Sequence, residues 1–191
     1  MARRPPKRTR RATPARRTTL DAIRVYRSPL DRRLGRIVAG PLVLPCALGR
    51  SGTAQAKREG DGATPVGRFR VIQALYRADR VRRPRTRLPV SPIRPDDGWC
   101  DDPGDRNYNR PVRLPYPAGH ERMHRDDGLY DMVLDLAHNR GPIRKGRGSA
   151  IFLHCARPGF GPTEGCVAVD PRAVARLLAR IGPGTRIEIV G

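Results

Sequence analysis

Residues 150–170 read AIFLHCARPGFGPTEGCVAVD, and the rest of the chain is best understood as the frame that holds this stretch. Ala150–Leu153 is a short apolar run of strand length. His154 and Cys155 end it. Pro158, Gly159, Gly161 and Pro162 then make a turn-rich segment that closes on Thr163-Glu164-Gly165-Cys166-Val167. A thiol that attacks a carbonyl needs a base, because free cysteine titrates near ~8.5. It also needs backbone N–H groups aimed at the developing oxyanion. His154 supplies a base for Cys166. Gly165 lets the backbone come close to a substrate, and the N–H groups of Gly165 and Cys166 are candidate oxyanion donors.

The order of the two residues narrows the chemistry. Histidine comes first and the cysteine 12 residues later. Papain-like enzymes place the cysteine first, and caspases separate the pair by about 50 residues. The stretch instead resembles the active-site signature of the L,D-transpeptidases, the YkuD-type catalytic domain. That signature is a strand ending in histidine, a variable loop, then [Ser/Thr]-x-Gly-Cys-[Val/Ile]. Here its positions are His154, Thr163, Gly165, Cys166 and Val167. Three positions depart from the common pattern: Cys155 for glycine or serine, Glu164 for a second histidine, and Ala168 for arginine or asparagine. Upstream, Thr64-Pro65-Val66-Gly67-Arg68-Phe69-Arg70-Val71 resembles the family's Thr-Pro-x-Gly-x-Phe-x-[Val/Ile]. On its own that segment reads as a turn followed by a half-buried strand, with Pro65 fixing φ and Gly67 allowing the turn.

The resemblance implies a peptidoglycan L,D-transpeptidase that forms 3–3 crosslinks through a cysteine thioester. It implies Cys166 as nucleophile, His154 as proton donor and acceptor, and Gly165 and Cys166 as oxyanion donors. Thr163, Glu164 and His120 are candidate substrate contacts. Donor and acceptor stem peptides would be the partners, carbapenems would acylate Cys166, and neither a metal nor an organic cofactor is called for. The cell envelope or periplasm would be its location. Two other readings stand beside this one. Water as acceptor would make the protein an L,D-carboxypeptidase, and nothing in the residues separates the two. A basic nucleic-acid-binding protein is the reading from a different class. It draws on the formal net charge of +21, with 36 of the 39 basic residues arginine. Aromatic content of 5% and the lack of a recognised binding module speak against it.

Residues 1–20 hold eight Lys/Arg and no Asp/Glu, and read as a disordered basic arm able to touch polyanions. No apolar run of secretory-signal type follows the basic start, and no stretch is long enough to span a membrane. Residues 21–191 read as one catalytic domain, expected as a monomer. It should be mainly β, a sandwich or curved mixed sheet with one C-terminal helix before the last strand. Residues 22–48 read as a β-meander, 129–136 as a strand and Thr185–Val190 as the last strand. Asp170-Pro171 starts a helix, with Val174, Leu177, Leu178 and Ile181 on one face and Gly182-Pro183-Gly184 ending it.

Residues 76–128, rich in proline, arginine and aspartate, read as an irregular cap or groove wall. Within them, residues 120–124 match the zinc-peptidase pattern H-E-x-x-H. Prolines and glycines on both sides argue against the helix this pattern requires, so His120 and Glu121 are placed on the groove. The acidic cluster Asp96, Asp97, Asp101, Asp102 and Asp105 is read as pairing with arginines. Cys46, Cys100, Cys155 and Cys166 form no disulfide framework, although a Cys46–Cys100 bridge stays open, and Cys155 reads as a small buried residue.

Overall fold

The computed structural model describes residues 19–191. The basic arm falls outside the described residues except for Thr19 and Leu20. Leu20 packs against the main core, and its N–H donates to the Arg180 carbonyl.

The first half of the chain forms β1 (Ala22–Arg27), β2 (Leu34–Ala39), β3 (Leu42–Ala47), β4 (Thr53–Ala54), β5 (Thr64–Pro65) and β6 (Gly67–Tyr76). Next come β7 (Val90–Pro92), β8 (Asp97–Cys100), β9 (Pro111–Arg113) and β10 (His120–Arg122). The chain ends with β11 (Met132–Leu136), β12 (Phe152–Cys155), β13 (Val167–Val169), α1 (Pro171–Leu178) and β14 (Arg186–Val190).

The expected meander is there: β1, β2 and β3 pair antiparallel in succession. The large sheet runs β11-β12-β13-β3-β2-β1-β14-β6-β7, and β11 also pairs with β6. That second pairing curls the sheet into a barrel-like arrangement. β6 spans both contacts because it is long: Gly67–Arg70 pair with β14, and Val71–Tyr76 pair with β11. Three pairs are parallel, β1–β14, β6–β7 and β12–β13, so the sheet is mixed.

Strand alternation divides the interior in two. Leu153, Cys155, Val167 and Val169 point toward Val174, Leu177 and Leu178 of α1 in the main core. Phe152 and Cys166, of opposite parity, join a second cluster with Trp99, Tyr130 and Val133. Asp170 caps α1 as its sequence suggested, its side chain accepting from the Arg172 and Ala173 N–H groups. The helix stops at Leu178, short of the expected glycines. Ile181 is still buried, carried by the turn that follows the helix.

The segment 76–128 is mostly turns, with a small antiparallel sheet β10-β8-β9. Asn109 fastens it to the barrel. The Asn109 side chain accepts from Trp99 Nε1 at 3.1 Å and from the Ala150 N–H at 3.2 Å, and donates to the carbonyls of His138 and Asn139. Of the acidic cluster, Asp96 and Asp97 pair with Arg113, whereas Asp102 and Asp105 accept from backbone N–H groups in turns. The arginine pairing expected for the whole cluster therefore holds for its first two members. All four cysteines are free and buried, so Cys46 and Cys100 do not form a bridge. No helix among the described residues is long and apolar enough to cross a membrane.

Candidate active site

The sequence placed a strand over 150–153, but the structure starts it at Phe152. Ala150 has φ +49°, a left-handed conformation that an extended run cannot contain. His154 therefore lies inside β12 rather than at its end. β12 and β13 are parallel neighbours, with Leu153 opposite Val167 and His154 opposite Ala168. That register sets Cys166, one residue before β13, beside Phe152. His154 sits two residues further on, about 6.6 Å along the strand. The two side chains share a face and lie on a diagonal.

Both line a cavity of about 530 Å³ between the barrel and the cap. Asp101, His120, Glu121 and Arg122 form its cap-side wall, and Thr163, Glu164 and Gly165 form the side of the catalytic turn.

His154 is oriented by its own strand. Nδ1–H donates to the Cys155 carbonyl at 2.9 Å, which leaves Nε2 as the acceptor. The Tyr130 ring meets the imidazole edge-on at 5.3 Å, and the Tyr130 hydroxyl donates to Glu121 at 2.6 Å. Burial, the largest influence, drops the imidazole to about 4, so His154 is a neutral base over the physiological range.

Cys166 Sγ lies against the backbone of the preceding strand, donating to the Ala150 carbonyl at 3.2 Å and accepting from the Phe152 N–H at 3.4 Å. Burial pushes the thiol up to about 12, and the Glu121 carboxylate adds to the rise. The Phe152 N–H and the Lys57 ammonium act the other way. Burial thus favours the neutral form of both groups. The thiol and imidazole are not hydrogen-bonded to each other among the described residues. Such bonds often form only in the substrate complex.

Two threonines hold the Cys166 backbone. Thr163 Oγ1 donates to the Cys166 carbonyl at 2.8 Å, and Thr64 Oγ1 donates to the same oxygen at 3.1 Å. The Thr163 hydroxyl also accepts the Gly165 N–H at 3.1 Å. Thr163, expected as a substrate contact, thus uses its hydroxyl inside the turn. The two N–H groups expected as oxyanion donors differ: that of Gly165 is taken by Thr163, and that of Cys166 has no partner among the described residues. Glu164 stands exposed at the rim, paired with Arg50 at 2.8 Å. His120 lines the cavity, with Nδ1 at 2.8 Å from the Ala118 carbonyl.

Residues 120–122 are a strand, so the H-E-x-x-H pattern lacks the helix that would bring its histidines together. No group of three potential ligands among the described residues is arranged to hold a metal ion.

Sequence reading passed over the roles of Thr64, Tyr130 and Lys57. Thr64 carried a signal, since it begins the Thr-Pro-x-Gly segment. Lys57 carried one as well, as one of three lysines in a chain whose other basic residues are all arginine.

The YkuD family model, described as the L,D-transpeptidase catalytic domain, matches residues 31–189. No curated protein matches. Two similar solved structures are L,D-transpeptidase 1 of Mycobacterium tuberculosis and the Ldtfm–avibactam carbamoyl enzyme. The first is 15% identical with a TM-score of 0.40, over 89% of this chain and 62% of that one. The second is 16% identical with a TM-score of 0.38, over 92% of this chain and 49% of that one. This chain therefore spans less than two thirds of either.

Proposed function

The chain belongs to the YkuD family of L,D-transpeptidase catalytic domains, and from that premise we propose that it crosslinks peptidoglycan stem peptides in the cell envelope through a Cys166 thioester. The observation that carries this reading is the diagonal of Cys166 and His154 on one face of adjacent parallel strands, inside one cavity, beside an unpartnered Cys166 N–H.

The steps follow from the positions. His154 Nε2 takes the thiol proton as sulfur attacks the carbonyl between the L-centre of diaminopimelate and the terminal D-Ala. The oxyanion forms beside the Cys166 N–H. The intermediate collapses, the imidazolium protonates the departing amine, and D-Ala leaves. The side-chain amine of a second stem peptide then attacks the thioester, its proton passes through His154 to the departing sulfur as the C–S bond breaks, and a 3–3 link closes with Cys166 freed as the thiol. The Cys155 carbonyl holds the imidazole in the tautomer this requires, and the Tyr130 ring packs against it.

Incubation with a disaccharide-tetrapeptide tests the proposal by product mass. Dimers lacking one D-Ala are expected. Tripeptide alone would replace transfer with hydrolysis, and unchanged substrate would remove the enzyme reading.

A further inference from the structure

Lys57 is a buried cation that neither the family signature nor the proposed steps employ. Its side chain is 5% exposed. A buried ammonium needs partners, and Nζ has two: the Arg58 carbonyl at 3.0 Å and the Asp61 carboxylate. The third N–H has no partner among the described residues.

Asp61 is fitted to stay ionised. Burial raises its carboxyl, but the N–H groups of Arg58 and Ala63, together with Lys57, bring the net shift downward. The pair is directional. Lys57 lines the active-site cavity and Asp61 does not, so the positive end faces the reaction. Nζ lies 3.4 Å from where a Cβ on Gly165 would stand, directly behind the nucleophile's neighbour.

The site has a use for this charge. With the Gly165 N–H taken by Thr163, one backbone donor remains for an oxyanion. The nearby Glu121 opposes negative charge at Cys166, and the neutral His154 offers no compensating cation at rest. Asp101 and Arg122 face the cavity from the cap side, Glu59 faces it from the loop that carries Lys57, and Arg125, Arg157 and Glu164 face it from the rim. Among these groups Arg125 pairs with Asp127 at 2.6 Å and also lies 3.6 Å from Glu121, and Glu164 pairs with Arg50, so each of these charges has a partner of its own.

We propose that Lys57 is the second anion-stabilising group of this site, its buried ammonium favouring negative charge first on Cys166 Sγ and then on the oxygen of the attacked carbonyl. The proposal rests on the acyl-transfer reading above. In the attack, the S–C bond forms as the carbonyl π pair moves to oxygen. In the collapse that pair returns, the C–N bond breaks, and the leaving amine takes the proton held by His154. Lys57 keeps its proton throughout and acts by its field. A lysine suits the position because its compact ammonium fits behind Gly165, where a planar guanidinium would need more room.

The test compares the full chain with Lys57→Met, Lys57→Arg and the double variant Lys57→Met/Asp61→Asn. The rate of Cys166 alkylation by iodoacetamide is followed from pH 6 to 11, with the adduct located by peptide mass, beside turnover of the tetrapeptide. Lys57→Met is expected to slow alkylation roughly tenfold at every pH of this range, the effect of about one pH unit on the thiol. Turnover should fall by at least as much. Lys57→Arg should recover part of both, and the double variant should behave as Lys57→Met does.

An alkylation curve for Lys57→Met that superimposes on the wild type, with its melting temperature unchanged, would overturn the proposal. So would a double variant restored to the wild-type curve, which would trace the defect to an orphaned Asp61. Separated alkylation curves in a protein that never turns over tetrapeptide would uphold the charge effect and remove the transpeptidase reading instead.

Discussion

Gly165 is where backbone geometry and chemistry meet most tightly, so replacing it with alanine is the sharpest perturbation of the site. Its φ is +138°, a region where L residues are strained by on the order of 1–3 kcal/mol. An added Cβ would also stand 2.9 Å from the Ala63 carbonyl oxygen. Reaching ordinary contact requires a shift of roughly 0.5 Å. Ala63 is poorly placed to give way. It is buried, its N–H is held by Asp61 at 2.9 Å, and the next N–H, that of Thr64, is held by the Gly52 carbonyl at 2.8 Å. The catalytic turn must move instead, taking Cys166 with it. A displacement near 1 Å can cost about a hundredfold in rate, so half of that predicts about tenfold slower acylation. Strain and contact together, about 2–3 kcal/mol, should lower the melting temperature by roughly 4–12 °C. Gly161→Ala is the control, because its Cβ would meet nothing closer than Arg157 at 4.0 Å. Thermal melts and the rate of product formation from the tetrapeptide, read by mass, make the comparison. Gly165→Ala forming product within twofold of wild type at an unchanged melting temperature would refute the reasoning.

Cys166→Ala should abolish transfer while melting near the wild type, whereas Cys155→Ser should keep most activity, because Cys155 faces the α1 side of the sheet; product mass decides, and the reverse pattern would reassign the nucleophile. Burial holds His154 neutral down to about pH 4, while the unfolded chain binds that proton near pH 6.5. Stability present above pH 6.5 should therefore be lost as pH falls toward 4, by on the order of 3 kcal/mol, and urea melts of His154→Leu should lack this part of the slope. Removing residues 1–18, which carry eight Lys/Arg, should leave turnover of small soluble stem peptides nearly unchanged but weaken binding to anionic sacculi in a pull-down, a difference that added salt should shrink.

What could be read from the sequence was what local pattern determines. The alternation of Ile187 and Ile189 gave β14, the cap Asp170 gave the start of α1, and the alternation of Phe69 and Val71 with arginines gave β6, whereas Thr64-Pro65, expected as a turn, pairs with β4 as the short strand β5. The features that were hidden depend on partners far away in the chain. Ala150 breaks the apolar run because Asn109, 41 residues earlier, holds its N–H in a left-handed turn. The cap holds its small sheet through pairings such as Cys100 with His120, which no periodicity announces. The Gly165 N–H looked free from the motif alone, since only the fold shows the Thr163 hydroxyl turning back on it.

The spacing of 12 between histidine and cysteine is itself a consequence of topology. Parallel neighbouring strands cannot be joined by a tight hairpin, and need a crossover of about a dozen residues. In this chain the crossover from β12 to β13 is the loop 156–166, with no helix inside it, and its last residue is Cys166. The loop must return to the start of the next strand, so Cys166 arrives two pleat positions behind His154 on the same face. The turn is then closed from outside by Thr64, 102 residues away, which shares the Cys166 carbonyl with Thr163. Two sequence signatures nearly a hundred residues apart are thus one structural unit: the Thr-Pro-x-Gly segment grips the backbone that carries the thiol. It also brings Lys57, seven residues before Thr64, to the back of Gly165.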